Sequence, residues 1–111
     1  MIYLASPYTH TDPFVMEERY LKAMRVTAIL LNGGHFVYSP IVHCHPMAVR
    51  HEMPKDHLFW LEYDQHMIEL SEVVYVLKME GWATSKGVQS EIEFAIGLNK
   101  LIEYIDDVNY G

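Results

Sequence analysis

Continuous apolar runs and apolar stripes at helical spacing follow one another along this chain. Residues 2–5 (Ile-Tyr-Leu-Ala) and 73–77 (Val-Val-Tyr-Val-Leu) are short apolar runs. Such runs suit strands covered on both faces. Between them, Met16, Tyr20, Ala23, Met24, Thr27 and Leu31 recur at helical spacing. A long helix is therefore expected from Pro13 to about Asn32. Asp12 is a good N-cap, Pro13 suits the first helical position, and Gly33-Gly34 ends the helix. Residues 35–39 are expected to form a second strand, ended by Pro40. Residues 41–54, rich in His and Met, read as an irregular, flexible lip. Residues 56–70 predict a second helix with Trp60, Leu61, Met67 and Ile68 on its inward stripe. After the strand at 73–77, Gly81 breaks the run and Ser85 can cap a third helix. That helix places Val88, Ile92, Ala95 and Ile96 on one stripe and ends near Asn99. Residues 101–105 predict a last strand.

The order is β-α-β-loop-α-β-α-β. Helical connections between short strands imply a parallel sheet with right-handed crossovers. The expected fold is α/β: a small three-layer Rossmann-like or flavodoxin-like domain with a mostly parallel sheet of four or five strands. No internal repeat, low-complexity tract or linker interrupts the chain, so residues 1–111 read as one domain.

Charge and composition narrow the function. The net charge is -7 with His neutral, and there is no basic block. This argues against a nucleic-acid polymer or an anionic membrane as partner. A small phosphorylated ligand, which needs only a local nest of amides, stays compatible. A single cysteine, Cys44, cannot form an intrachain disulfide. Together with the lack of a signal-peptide pattern or a membrane-length apolar run, it leads us to expect a cytoplasmic setting.

Two carboxylates stand out. Glu91 falls on the edge of the third helix's apolar stripe, in its first turns, while Glu93 falls on the solvated side. Glu91 is thus directed toward the crevice beyond the carboxyl end of residues 73–77, where ligands bind in open α/β sheets. The positive end of the helix is expected to help keep it ionised. Asp64 lies near the middle of the second helix's inward stripe. A carboxylate there is costly unless it is hydrogen-bonded or faces a pocket. Each alone has a structural reading, as a dipole-compensating or backbone-bonded side chain. Two inward carboxylates in one small domain favour a site. Tyr3, on the first strand, ends at the same crevice and reads either as a core tyrosine or as part of the site. Ser85 is a cap or a ligand, and Trp82 and Tyr8 either stack on a planar ligand or cover the sheet edge. His43-Cys44-His45, with His51, His57 and His66, invites a metal reading. No HExxH or paired-Cys motif supports it, so a polar lip over the pocket, with His43 or His45 touching substrate, is the preferred reading.

Three segments are notable together: Tyr-Leu-Ala-Ser-Pro-Tyr at residues 3–8, Asp64-x-x-x-Ile68-x-x-Ser-Glu-Val-Val, and Ser85-x-Gly87-Val88-x-x-Glu91-x-x-x-Ala95. In this order and spacing they resemble the nucleoside 2-deoxyribosyltransferase superfamily, which includes the 2′-deoxynucleoside 5′-phosphate N-hydrolases. Ser-Pro-Ile before the His-rich segment and Gly81-Trp82 before Ser85 look like a small bacterial and phage branch. The resemblance covers nearly the whole chain. It implies Glu91 as nucleophile, Asp64 near the sugar, and Tyr3 positioning the nucleophile. Ser85 falls where the 5′-phosphate hydrolases carry a serine and the transferases an acidic residue. The loop Pro7-Tyr8-Thr9-His10 lacks the arginine and glycine that the hydrolases carry around phosphate.

The expected activity is therefore cleavage of the base–sugar bond of a (deoxy)ribonucleoside 5′-monophosphate, by a retaining covalent mechanism through Glu91. Catalysis is assigned to Glu91, Asp64 and Tyr3. Substrate contacts are assigned to Ser6, Tyr8, Thr9, His10, His43, Trp82, Ser85, Lys86 and Gly87. No metal or cofactor is required. The expected partner is a small-molecule nucleotide or nucleoside, and the resemblance implies a homo-oligomer whose neighbours complete the site. Alternatives are a base-exchanging deoxyribosyltransferase, a non-catalytic nucleotide-binding module, and a metal-dependent hydrolase built on the His cluster.

Overall fold

A computed structural model describes residues 1–107. The apolar runs become strands β1 (Ile2–Ala5) and β3 (Val73–Leu77), and β4 covers Leu101–Ile105. The second strand, β2, shrinks to Val37–Tyr38, shorter than the expected 35–39. All four strands pair in parallel in the order β2-β1-β3-β4. This is the flavodoxin-type order over four strands. It puts a topological switch point between β1 and β3, where the chain leaves the sheet in opposite directions.

Helix α1 (Pro13–Asn32) starts where its cap predicts: the Asp12 side chain accepts from the Phe14 amide, and Pro13 opens the first turn. Its buried row is Met16, Ala23, Val26, Thr27 and Leu30. Met24 and Leu31, expected on that row, are exposed. Ala23, Val26 and Leu30 pack with Leu4, Leu77 and Met79 on one face of the sheet. Helices α3 (His57–Glu69) and α4 (Lys86–Gly97) cover the other face. There Ile68, Val88, Ile92 and Ala95 pack against Tyr3, Ala5, Val74 and Val76. Alternate residues of β1 and β3 thus feed opposite layers, as strand geometry requires. Ile96 is 60% exposed. It lies about 100° round the helix from the buried Ala95, and only one of the two can face the sheet.

The expected lip is instead a helix, α2 (Pro40–Arg50). The Ser39 side chain accepts from the Val42 amide, and Pro40 stands at the first helical position. Ser-Pro is a helix start as much as a strand stop. Ile41, Cys44, His45 and Ala48 form its buried face, and the helix continues past Pro46. Among the described residues no helix is long and apolar enough to cross a membrane.

Candidate active site

The loops after β1 and β3, the start of α4 and the inner sides of α2 and α3 enclose a cavity of about 350 Å³. It opens at the switch point, as the strand order predicts, and has the size of a small-ligand site. Ser6, Tyr8, Thr9 and His10 line it from the β1 side. Ser85, Lys86 and Gly87 line it from the start of α4, and Glu91 and Asp64 from the helices. Tyr3 lies beneath, fully buried, and its hydroxyl donates to Oε2 of Glu91. The two carboxylates and the tyrosine singled out from sequence therefore share one site.

Local structure explains the placement. The Ser85 side chain accepts from the Val88 amide and fixes the start of α4. Glu91 follows at the beginning of the second turn. α3 and α4 approach closely at Gly87, where a Cβ would lie 3.4 Å from the Cβ of His57, the near limit of ordinary contact. That approach brings the middle of α3, and with it Asp64, beside Glu91. Gly81, at φ 93°, turns the loop after β3 in a backbone conformation that favours glycine, close against the Arg19 guanidinium.

The electrostatics differ from the expectation that the helix end keeps Glu91 ionised. Burial raises Glu91 to about 8, the Asp64 charge adds to the rise, and the Tyr3 hydrogen bond opposes it. The helix field fades within the first turn, and Glu91 lies beyond it. Burial also raises Asp64, to about 7. Tyr3 stays protonated, pushed well above its ordinary value by burial and then by the Glu91 and Asp64 charges. Two adjacent, partly buried carboxyls in one pocket resist ionising together, so their titrations belong to the pair. The tyrosine donor favours the ionised form of Glu91, whereas burial alone acts on Asp64. Near neutral pH the pair therefore holds a proton between its two members, and the Tyr3 donor is the contact that supports the form with Glu91 ionised.

Two expected contacts lie elsewhere. The Trp82 ring packs onto the α3–α4 side of the core and against Tyr104, 5.6 Å between centroids. His43 stacks on Tyr63, 5.5 Å between centroids with the rings nearly parallel, outside the cavity lining. On a helix, residues two apart diverge by about 200°, so His43 and His45 part company. Among the described residues no three His, Cys, Asp or Glu side chains come together as a metal-ligating set.

The structure also adds residues that sequence reasoning did not assign. Arg19 reaches from α1 over the first loop, donating to the carbonyl of Thr9 at 3.1 Å and, more weakly, to that of Tyr8 at 3.5 Å. Its guanidinium lines the cavity, as do Lys55 and His57. The signal was a lone arginine three residues after the buried Met16, on the inward side of α1.

A family model described as Domain of unknown function (DUF1937) matches residues 1–105. The chain belongs to this family. The match spans every element of the fold, so the cavity is assembled entirely from the family's domain. No curated protein matches the chain.

Proposed function

We propose that this member of the family is an N-glycosidase that cleaves the base–sugar bond of a (deoxy)ribonucleoside 5′-monophosphate. The observation that carries the reading is the Tyr3–Glu91 hydrogen bond beside Asp64 in the switch-point cavity. An ionised Glu91 oxygen attacks the anomeric carbon as the carbon–nitrogen bond breaks, and the electron pair of that bond goes to the base. The base takes the proton held by Asp64. The positive charge that develops on the sugar is stabilised by the fixed Glu91 anion. Water then attacks the same carbon, gives its proton to Asp64 and releases the Glu91 carboxylate. Two displacements on one carbon retain its configuration.

The phosphate assignment has support that the sequence lacked. Arg19 brings to the first loop the cation that Pro7-Tyr8-Thr9-His10 does not contain. Ser85, Lys86 and the free amides of the α4 N-terminus face the same cavity, an arrangement that attracts anions. Self-association belongs to the same proposal: Leu58, Phe59 and Tyr63 leave an apolar surface on α3 that a second copy would cover. A base-exchanging transferase differs only in what resolves the intermediate. The test is incubation with a panel of nucleosides and 5′-monophosphates, scoring free base, with and without a second free base as acceptor. Base release from a monophosphate is the expected result. Exchange in place of hydrolysis would move the assignment to the transferase. Tight binding without release from any substrate would leave a binding module.

A further inference from the structure

The His-rich segment takes no part in the chemistry above, yet one of its members is tightly held. His45 is 5% exposed, between α1 and α2. Its Nδ1 lies 2.5 Å from the Tyr8 hydroxyl and its Nε2 lies 2.7 Å from Oε2 of Glu17. Tyr20 stacks on the imidazole at 4.5 Å. A carboxylate only accepts, so Nε2 carries the proton directed at Glu17. In the tautomer with that proton alone, Nδ1 is the acceptor for the Tyr8 hydroxyl.

Of these three, Tyr8 alone lines the cavity, whereas Glu17 and His45 line a separate hollow between α1 and α2. The Tyr8 hydroxyl is buried in its contact with His45, so what Tyr8 offers the cavity is the rest of the residue, 8% exposed in all. The ring is packed with Met16 and Ile41, and Trp60 and Leu61 line the same cavity from α3. An aromatic ring pinned at its far end is a preorganised surface for a flat ligand group.

We propose that the Tyr8 ring is the wall on which the planar base of the substrate seats, and that Glu17, acting through His45, is the positioning residue that fixes it. The ligand rests on the glycosidase reading; the hydrogen-bonded chain does not. The test compares the full chain with Tyr8→Phe, Glu17→Ala and their double variant. Tyr8→Phe keeps the ring, and the Glu17 side chain is 53% exposed, so both spare the core. KM and kcat are measured on the monophosphate that the wild type turns over best. Each single variant should raise KM about 3- to 10-fold, the cost of ordering a loosened side chain on binding, and leave kcat within about twofold. The double variant should be no worse than the worse single, because the chain needs breaking only once. Glu17→Gln, whose amide oxygen still accepts from Nε2, should restore the wild-type KM. An unchanged KM in Glu17→Ala, or additive losses in the double variant, would overturn the proposal. Absence of base release from every wild-type reaction would sink the glycosidase reading instead. NMR of the ligand-free protein then decides the positioning. Slow Tyr8 ring flips and an Nε2–H tautomer of His45, both lost in Glu17→Ala, support it, and equal flip rates overturn it.

Discussion

Asp64→Asn should make the protein more stable and far less active. Burial raises Asp64 from 3.8 to about 7. A carboxyl that binds its proton more tightly when folded makes the folded state take up protons between those two values. Stability is therefore lost as pH rises through that window and stays low above it. At 1.36 kcal/mol per tenfold change in proton affinity, the full difference is about 4 kcal/mol. Asp64 is only half-buried and faces a cavity that admits water, so screening reduces this to roughly 1–2 kcal/mol. At about 4–8 °C per kcal/mol for a domain of this size, Asp64→Asn should raise Tm by roughly 5–10 °C at alkaline pH. Thermal unfolding of both proteins, followed by circular dichroism from about pH 4 to about pH 9, reads the effect. The two should melt together near the acid end, diverge through neutrality, and run parallel above it. Base release should fall about 100-fold or more, the usual contribution of a general acid. A Tm difference independent of pH would refute the electrostatic reasoning. A lower Tm with unchanged activity would make Asp64 a structural residue.

Three further outcomes test the same reading. Glu91→Gln should abolish base release while the protein keeps its fold, and Glu93→Gln, on the exposed side of α4, should be close to silent; retained turnover in Glu91→Gln would exclude the covalent step. Ser85→Asp keeps a good N-cap but sets a negative charge at the anion end of the cavity. It should cut kcat/KM for a monophosphate about 10- to 100-fold and leave the matched nucleoside nearly unchanged; equal wild-type efficiency on both would return Ser85 to a plain cap. Activity should survive exhaustive chelation, and stoichiometric zinc whose removal stops turnover would promote the metal hydrolase.

What the sequence made legible follows from how local each signal is. β3 and β4 have their expected bounds because five-residue runs, apolar but for Glu103, leave little freedom between turn signals. α1, α3 and α4 begin at Asp12, Asp56 and Ser85, each capping through its own side chain. α2 was hidden because Pro40 reads as a strand stop and residues 41–54 as irregular, whereas Pro40 opens the helix and Pro46 is accommodated inside it. Glu91, Asp64 and Tyr3 were visible as polar groups on otherwise inward positions. Arg19 and the Tyr8–His45–Glu17 chain were not, since each joins residues 10 or more apart on different elements. Trp82 and His43 carried only residue type as evidence, and tertiary packing used them for the core side and for Tyr63.

The charges around the cavity also bear on which ligand suits it. Two neighbouring buried carboxyls cost stability in the free protein, as the rise of both pKa values reflects, and an anion placed against them would raise that cost. The same cavity carries Arg19, Lys86 and the N-terminus of α4. Lys86 opens α4, and Glu91 follows five residues later, about 7–8 Å along the helix axis. A ligand that develops positive charge at one end and bears an anion at the other, a sugar's width apart, satisfies both regions at once. A nucleoside satisfies only the carboxyl end, and a free phosphate only the helix end. A module that merely binds nucleotides would use the two carboxyls for hydrogen bonds to the hydroxyls of a neutral sugar. The proposed cleavage draws on them further, because positive charge appears at the anomeric carbon in its transition state.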